Sequence, residues 1–168
     1  MPLRLRPFGP ADEVAARGAW AQFLGSGFDF LPFDFDSRMD WADWIDLLER
    51  YRQGIDLPEN RVRTAFLAAD VDGQLVGRTS IRFELNDFLA ERGGHVGYAV
   101  IPEFRRRGYA TAILEESVVI ARNEGVNSVL VTCDDTNTGS IKVIERCGGV
   151  LENTVVGDDG VAFRRYWI

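Results

Sequence analysis

One strand–turn–helix–strand stretch in the second half of the chain constrains the fold most. Residues 94–100 are typical of a strand, and Pro102 then predicts a turn. From Ala110 onward, apolar residues recur on one helical face until Gly125, a residue that favours the end of a helix. The β-branched run at 128–132 predicts a strand that is buried on both faces. The stretch therefore predicts a βαβ unit.

The rest of the chain supplies further strands and helices around this unit. Strands are predicted at 3–6, 66–69, 75–85, 150–156 and 161–167, helices at 11–24, after an N-cap at Ser37, and at 138–146, and an aromatic-rich loop at 25–35. This order of elements predicts a mixed α/β fold. The length of 168 residues, without a repeat or a linker-like run, predicts one domain over residues 1–168.

The composition excludes several classes of protein. With 19 basic and 26 acidic side chains the net charge is −7, which argues against a protein that coats nucleic acid or an anionic membrane. No run of 18 apolar residues and no signal peptide is present, so we expect a cytoplasmic protein without membrane partners. Cys133 and Cys147 do not make a disulfide framework, and a single histidine predicts no metal site.

Three consecutive arginines, Arg105, Arg106 and Arg107, interrupt the overall acidity. They precede Gly108 and Ala110, where the predicted helix begins. The first N–H groups of a helix lack partners and lie at the positive end of its dipole, so they bind anions. Small residues let a phosphate approach the backbone, and arginines supply charge and paired donors. The turn is therefore either a pyrophosphate site or a solvated basic turn.

Two segments in this region resemble the GNAT superfamily of N-acetyltransferases. The matching residues are Val100-x-Pro102 with Arg105-x-x-Gly108-x-Ala110, and downstream Asn137-x-x-Ser140 with 144–149. The phrases GGHVGYAV, LVTCDDTN and RRYWI are similar to a subgroup of bacterial predicted acetyltransferases without a settled substrate. The resemblance implies one strongly twisted mixed sheet of about seven strands with about four helices. It also implies a cofactor cleft between splayed strands 4 and 5.

The resemblance further implies a set of residues that bind acetyl-CoA and no metal. The backbone of Val100 is expected to pair with the pantetheine arm, and the basic turn is expected to surround the pyrophosphate. The expected cofactor-binding residues are Val100, Arg105, Arg106, Arg107, Gly108, Tyr109, Ala110, Asn137 and Ser140. Asn137 is alternatively only the N-cap of the helix that follows it.

The implied reaction is direct attack of a substrate amine on the thioester, without a covalent enzyme intermediate. Because an ordinary ammonium has a pKa of about 10.4, a base must remove a proton first, and His95 and Glu84 are the candidates. Many family members use a tyrosine to protonate the leaving thiolate, but Ile144 stands at that position here. The acid is therefore Tyr98, Tyr109 or water, or the thiolate leaves without help. A non-catalytic or degenerate acyl-CoA-binding module is the alternative function.

The acceptor is expected to be an amine-bearing small molecule or peptide. The family architecture places the N-terminal helices and the 25–36 loop over the acceptor mouth. The expected substrate-binding residues are Phe28, Phe30, Arg82, Asn86 and Tyr98, with Trp41 and the acidic residues Asp34, Asp36 and Asp40 nearby. The aromatic and acidic side chains either receive a cationic acceptor or are core aromatics and solvated carboxylates, whereas Arg82 and Asn86 are expected as polar residues that line the cleft. Nucleic acid is not expected as a partner, and the protein is expected to be a monomer or a homodimer.

Overall fold

The computed structural model describes residues 2–168 and confirms the expected α/β class. Within these residues the chain forms seven strands and five helices. The strands are β1 Arg4–Pro7, β2 Thr64–Val71, β3 Gln74–Arg82, β4 Val96–Val100, β5 Leu130–Asp134, β6 Val150–Val156 and β7 Ala162–Trp167. The helices are α1 Glu13–Phe23, α2 Trp41–Gln53, α3 Asp87–Glu91, α4 Tyr109–Asn123 and α5 Thr138–Arg146. None of the helices in this part of the chain is long and apolar enough to cross a membrane.

The strands form two antiparallel sheets that meet at one corner. One sheet has the order β1-β2-β3-β4 and the other the order β5-β7-β6. Strands β4 and β5 are hydrogen-bonded to each other where they begin. His95 N donates to Leu130 O at 2.8 Å, and Leu130 N donates to His95 Nδ1 at 2.9 Å. Beyond this point no ladder pairs β4 with β5 within residues 2–168. The two strands therefore diverge and leave a V-shaped opening, which confirms the expected splayed strands 4 and 5.

Three predicted boundaries are corrected by the structure. Asp40, not Ser37, is the N-cap of α2, and its side chain accepts from Asp43 N. A start at Asp40 places Trp41 and Trp44 in the first helical turns, where both are buried in the core. Serine and aspartate are both favoured N-cap residues, so the packing of the tryptophans decides between them.

The second correction concerns the strand predicted at 75–85. Its ladder ends at Arg82, and the short helix α3 follows after Asn86. The Asn86 side chain accepts from Leu89 N at 2.9 Å, which caps a helix that the sequence did not predict. The strand predicted at 128–132 is also displaced, because its ladder to β7 begins at Leu130.

The two faces of β3 pack against different layers. On one face a Cβ at Gly77 would lie 3.1 Å from Ile113 of α4, and Thr79 Oγ1 lies 2.9 Å from Ser117 Oγ. On the other face Arg78 Nε donates to Phe30 O at 3.0 Å, in the segment between α1 and α2. Alternate residues of β3 therefore face the α4 layer and the N-terminal layer.

The core consists of two clusters on these two sides. An aromatic cluster under α2 contains the buried rings of Phe8, Phe30, Trp41, Trp44 and Phe66. An aliphatic cluster under α4 contains Val96, Leu114, Val131, Ile144 and Tyr166. Ile144 therefore packs in the core.

Candidate active site

A cavity of about 910 Å³ occupies the opening between β4 and the start of α5. This volume lies within the range of small-molecule and cofactor sites. The residues expected to bind the co-substrate or substrate that line it are Phe28, Tyr98, Val100, Arg105, Arg106, Gly108, Tyr109, Ala110, Asn137 and Ser140. The cavity therefore joins the two sequence segments that carry the family resemblance.

The first turn of α4 opens directly into this cavity. Gly108 is its N-cap, with φ at +83°, and no side chain caps the helix. A Cβ built at Gly108 would meet no atom within 4 Å, so the space in front of the helix end is open. The first N–H groups of α4 and the positive end of its dipole are available there to an anion.

The three arginines before Gly108 do not all face the cavity. Arg105 Nε donates to Val100 O at 3.2 Å, and this guanidinium and that of Arg106 line the cavity. Arg107 Nη2 donates to Glu103 O at 3.2 Å and lies outside the lining. None of the three forms an ion pair within residues 2–168, so their charge is not neutralised by a carboxylate of this part of the chain.

Asn137 and Ser140 close the opposite wall of the cavity. Asn137 is the N-cap of α5, and its Oδ1 accepts from Ser140 N at 3.1 Å. Both residues also line the cavity. The capping role and a position at the cofactor cleft are therefore compatible.

Tyr98 projects from β4 into the same cavity. Its hydroxyl donates to Ser140 Oγ at 3.3 Å. Burial raises the pKa of Tyr98 to about 12, although the hydrogen bond to Ser140 opposes this change. The phenol therefore stays protonated at neutral pH, as a proton donor must be, although it is a weaker acid than an ordinary tyrosine. Ile144, which replaces the usual tyrosine, is fully buried and does not line the cavity.

The two predicted bases do not line the cavity. His95 is buried, and its Nδ1 accepts from Leu130 N, where it ties β4 to β5. Burial and the nearby charge of Arg82 lower the pKa of His95, so its ring stays neutral. Glu84 is exposed, and its Oε1 accepts from Arg63 N at 3.4 Å. Neither side chain is thus placed to take a proton from an amine in this cavity.

A second cavity, of about 840 Å³, lies on the face of β3 that is turned towards the N-terminal layer. It is lined by the expected residues Arg82 and Asn86, and also by Arg61 and Arg78, which the sequence analysis did not single out. Arg78, Ser80 and Arg82 occupy every second position of β3, so their side chains lie on the same face of the sheet. This spacing was the sequence signal that could have identified them as one polar surface.

The remaining expected acceptor residues lie elsewhere. Phe30 and Trp41 are core residues, so their rings are not available to a ligand. Asp40 caps α2, and Asp36 Oδ1 accepts from Arg38 N at 2.6 Å. Neither these two carboxylates nor Asp34 lines either cavity.

The cysteines and the acidic residues do not suggest other chemistry. Cys133 and Cys147 are free and half-buried, and burial raises the pKa of each thiol to about 11. A thiol of such pKa carries little thiolate at neutral pH and is a weak nucleophile. Within residues 2–168 no three His, Cys, Asp or Glu side chains are grouped as metal ligands.

Comparison with known proteins agrees with this geometry. The model of the acetyltransferase (GNAT) family matches residues 29–149. An N-acetyltransferase from Staphylococcus aureus Mu50 is 14% identical, with a TM-score of 0.68 over 100% of this chain and 98% of that chain. RimJ from Mycobacterium smegmatis, solved in complex with CoA-disulfide, is 20% identical, with a TM-score of 0.71 over 99% of this chain and 81% of that chain. YncA from Salmonella typhimurium, a putative acetyltransferase solved with acetyl-CoA, is 14% identical, with a TM-score of 0.66 over 100% of this chain and 94% of that chain.

Proposed function

This chain belongs to the GNAT family of acetyltransferases, and from that premise we propose that it transfers the acetyl group of acetyl-CoA directly to the amine of an acceptor. The observation that carries the proposal is the uncapped start of α4 at Gly108, which faces a cavity beside unpaired arginines. A pyrophosphate is the anion that this arrangement of N–H groups and guanidinium groups fits.

The free edge of β4 supports the placement of the pantetheine arm. One edge of β4 pairs with β3, and the other diverges from β5 beyond the tie at His95. An extended amide-bearing chain can add to such an edge by backbone hydrogen bonds. Because the anion site follows the end of β4 at Val100, an arm that runs along the strand leads back towards Gly97. We therefore place the thioester beside Tyr98 and Gly97.

Tyr98 is the proton donor in this proposal. The amine nitrogen attacks the thioester carbonyl carbon, the C–S bond breaks, and the leaving thiolate takes the phenolic proton of Tyr98. The Tyr98 oxygen then recovers a proton from the acetylated ammonium through water. Because neither His95 nor Glu84 lines the cavity, the amine enters in its neutral form after it has lost one proton to solvent.

The experiment measures free-thiol release from acetyl-CoA over a panel of amines, with wild type, Tyr98→Phe and Tyr109→Phe. Tyr109 also lines the cavity and tests the other phenol that could donate the proton. We expect Tyr98→Phe to lower kcat by about 100-fold or more, as for the loss of a general acid, with unchanged acetyl-CoA affinity by calorimetry. Tyr109→Phe should keep kcat within a few-fold of wild type.

Two results would contradict this proposal in different ways. Acetyl-CoA binding without thiol release on any amine would identify the chain as an acyl-CoA-binding module. Equal kcat in wild type and Tyr98→Phe would leave the acetyl transfer intact but remove Tyr98 as the proton donor.

A further inference from the structure

The second cavity contains positive charge, and the carboxylate of Asp29 offsets part of the charge of Arg78. Arg78, Ser80 and Arg82 line it from β3, and Arg61 lines it from the preceding loop. None of the three arginines forms an ion pair within residues 2–168. Glu59 and Asp87 also line the cavity, but both are exposed and bond to none of the arginines.

Arg78 is held rigidly at the boundary between the two cavities. It is 5% exposed, and its guanidinium donates to Phe30 O at 3.0 Å and Asp29 O at 2.7 Å, which are neutral carbonyls. The same group lies 4.7 Å from the ring of Phe28, which lines the first cavity. Arg78 therefore fixes the 29–30 segment and adds a positive charge between the cavities.

Arg82 has donors that the described chain leaves free. Its Nη1 donates to Gly93 O and Gly94 O, both at 3.2 Å, whereas Nε and Nη2 donate to no group in residues 2–168. Every fully buried side-chain nitrogen of residues 2–168 has a hydrogen-bond partner. The Nε and Nη2 atoms of Arg82, which have none, are therefore accessible to a ligand. Burial lowers the pKa of Arg82, and the charge of Arg61 lowers it further. A half-buried cation beside a like charge is stabilised when an anion binds it.

Arg82 also lies beside the point where the thioester is placed. A Cβ at Gly97 would be 3.8 Å from both Nη atoms of Arg82. The guanidinium therefore covers Gly97 on the face of β4 that is turned towards the N-terminal layer. The pantetheine arm reaches the same residue along the strand edge. An anion bound to Arg82 would thus hold its attached amine close to the acetyl group.

We propose that the acceptor is an amine that carries an anionic group, a carboxylate or a phosphate, and that Arg82 and Arg61 bind this group. The inference rests on the proposed acetyl transfer and names the substrate class of that reaction. It replaces the cationic acceptor expected from the acidic residues of the N-terminal third, because Asp34, Asp36 and Asp40 line neither cavity.

The test compares matched amines by thiol release. Amino acids are paired with their carboxamides, and aminoalkyl phosphates with the corresponding aminoalkyl alcohols. Each rate is expressed per concentration of neutral amine, because the anion also changes the pKa of the amine. We expect one anionic series to exceed its neutral partners in kcat/KM by at least about 30-fold, and the favoured series identifies the anion. This preference should fall to within a few-fold in Arg82→Gln, through KM.

Arg63→Gln is the matched control. Arg63 is close in sequence to Arg61, but it pairs with Glu124 at 2.8 Å and does not line the cavity. It should keep the anion preference. If Arg82→Gln does not fold, Arg61→Gln replaces it, since Arg61 is exposed on a loop and its loss should reduce the preference without loss of the fold.

A binding measurement separates failure of this inference from failure of the acetyl transfer. Inorganic phosphate and acetate are titrated in separate experiments into the CoA-saturated protein, and the backbone amide shifts of Gly93, Gly94 and Gly97 are followed by NMR. Saturable shifts that Arg82→Gln removes support the anion site even if no amine is acetylated. The absence of such shifts, equal rates for neutral and anionic amines, or an equal loss in Arg63→Gln would each overturn the inference.

Discussion

The two glycines that flank α4 allow a sharp test of the cofactor site. Gly108 precedes the helix with φ at +83°, and Gly125 follows it with φ at +95°. A Cβ at either position would meet no atom within 4 Å. Gly108→Ala and Gly125→Ala therefore introduce the same methyl group, in the same left-handed backbone region, at opposite ends of one helix. Of the two glycines only Gly108 lines the cavity to which the pyrophosphate is assigned.

The expected effects on stability are similar for both variants. An alanine forced into the left-handed region costs about 1–2 kcal/mol. For a chain of this size each kcal/mol lowers Tm by about 2–4 °C. The expected effects on acetyl-CoA affinity differ. The Gly108→Ala methyl group holds a phosphate away from the N–H groups of α4, and each charge-assisted hydrogen bond lost costs about 1.5–3 kcal/mol. One lost bond therefore weakens binding by about 10- to 100-fold.

Calorimetric titration of acetyl-CoA and thermal unfolding of the free proteins measure the two quantities. We expect a comparable fall in Tm for both variants, with weaker binding only in Gly108→Ala. Equal acetyl-CoA affinity in the two variants would refute the assignment of the pyrophosphate to this helix end. Equal weakening would show that the strain, and not the methyl group in the cavity, disturbs binding.

Two further predictions concern residues that line neither cavity. Arg6 donates hydrogen bonds to the buried carboxylates of Asp12 and Asp70. The hydrogen bond from Arg6 is the main cause that lowers the pKa of Asp12. Burial would raise the pKa of Asp70, but the hydrogen bonds from Gly73 N and Arg6 lower it overall. A carboxyl group whose pKa is lower in the folded than in the unfolded state stabilises the fold at pH values above its unfolded-state pKa. Urea unfolding should therefore show that stability is lost below about pH 5. Arg6→Met should lower the free energy of unfolding by about 3–5 kcal/mol at pH 7 and reverse this pH dependence. Ile144→Tyr, which introduces the residue usual in the family, should destabilise the filled core by about 1–3 kcal/mol in urea unfolding and should not restore kcat to Tyr98→Phe.

Local signals explain why the residues that meet at the first cavity could be predicted from the sequence. The strand, the turn and the glycine before α4 are contiguous, and each has its own conformational preference. The cap at Asn137 likewise acts on a helix that begins one residue later. By contrast, α3 has only five residues, too few for a helical period to appear in the sequence.

Long-range packing explains why the second cavity could not be predicted. Charged residues that alternate on a strand usually face solvent, and nothing local shows that the segment at 29–30 covers Arg78. The same holds for His95. A histidine at the start of a strand is a reasonable base until its contact with Leu130, 35 residues further along the chain, is known.

The net charge of −7 gives the two proposed anion sites a common physical requirement. The field of the whole protein opposes the approach of acetyl-CoA and of an anionic acceptor, but it is screened beyond about 8 Å at physiological ionic strength. Binding at both sites must therefore come from short-range donors: helix N–H groups at Gly108 and the free guanidinium nitrogens of Arg82. Distributed attraction would make single substitutions mild. Because these donors act at contact distance against the overall field, one methyl group at Gly108 or one lost charge at Arg82 should instead have large and separable effects.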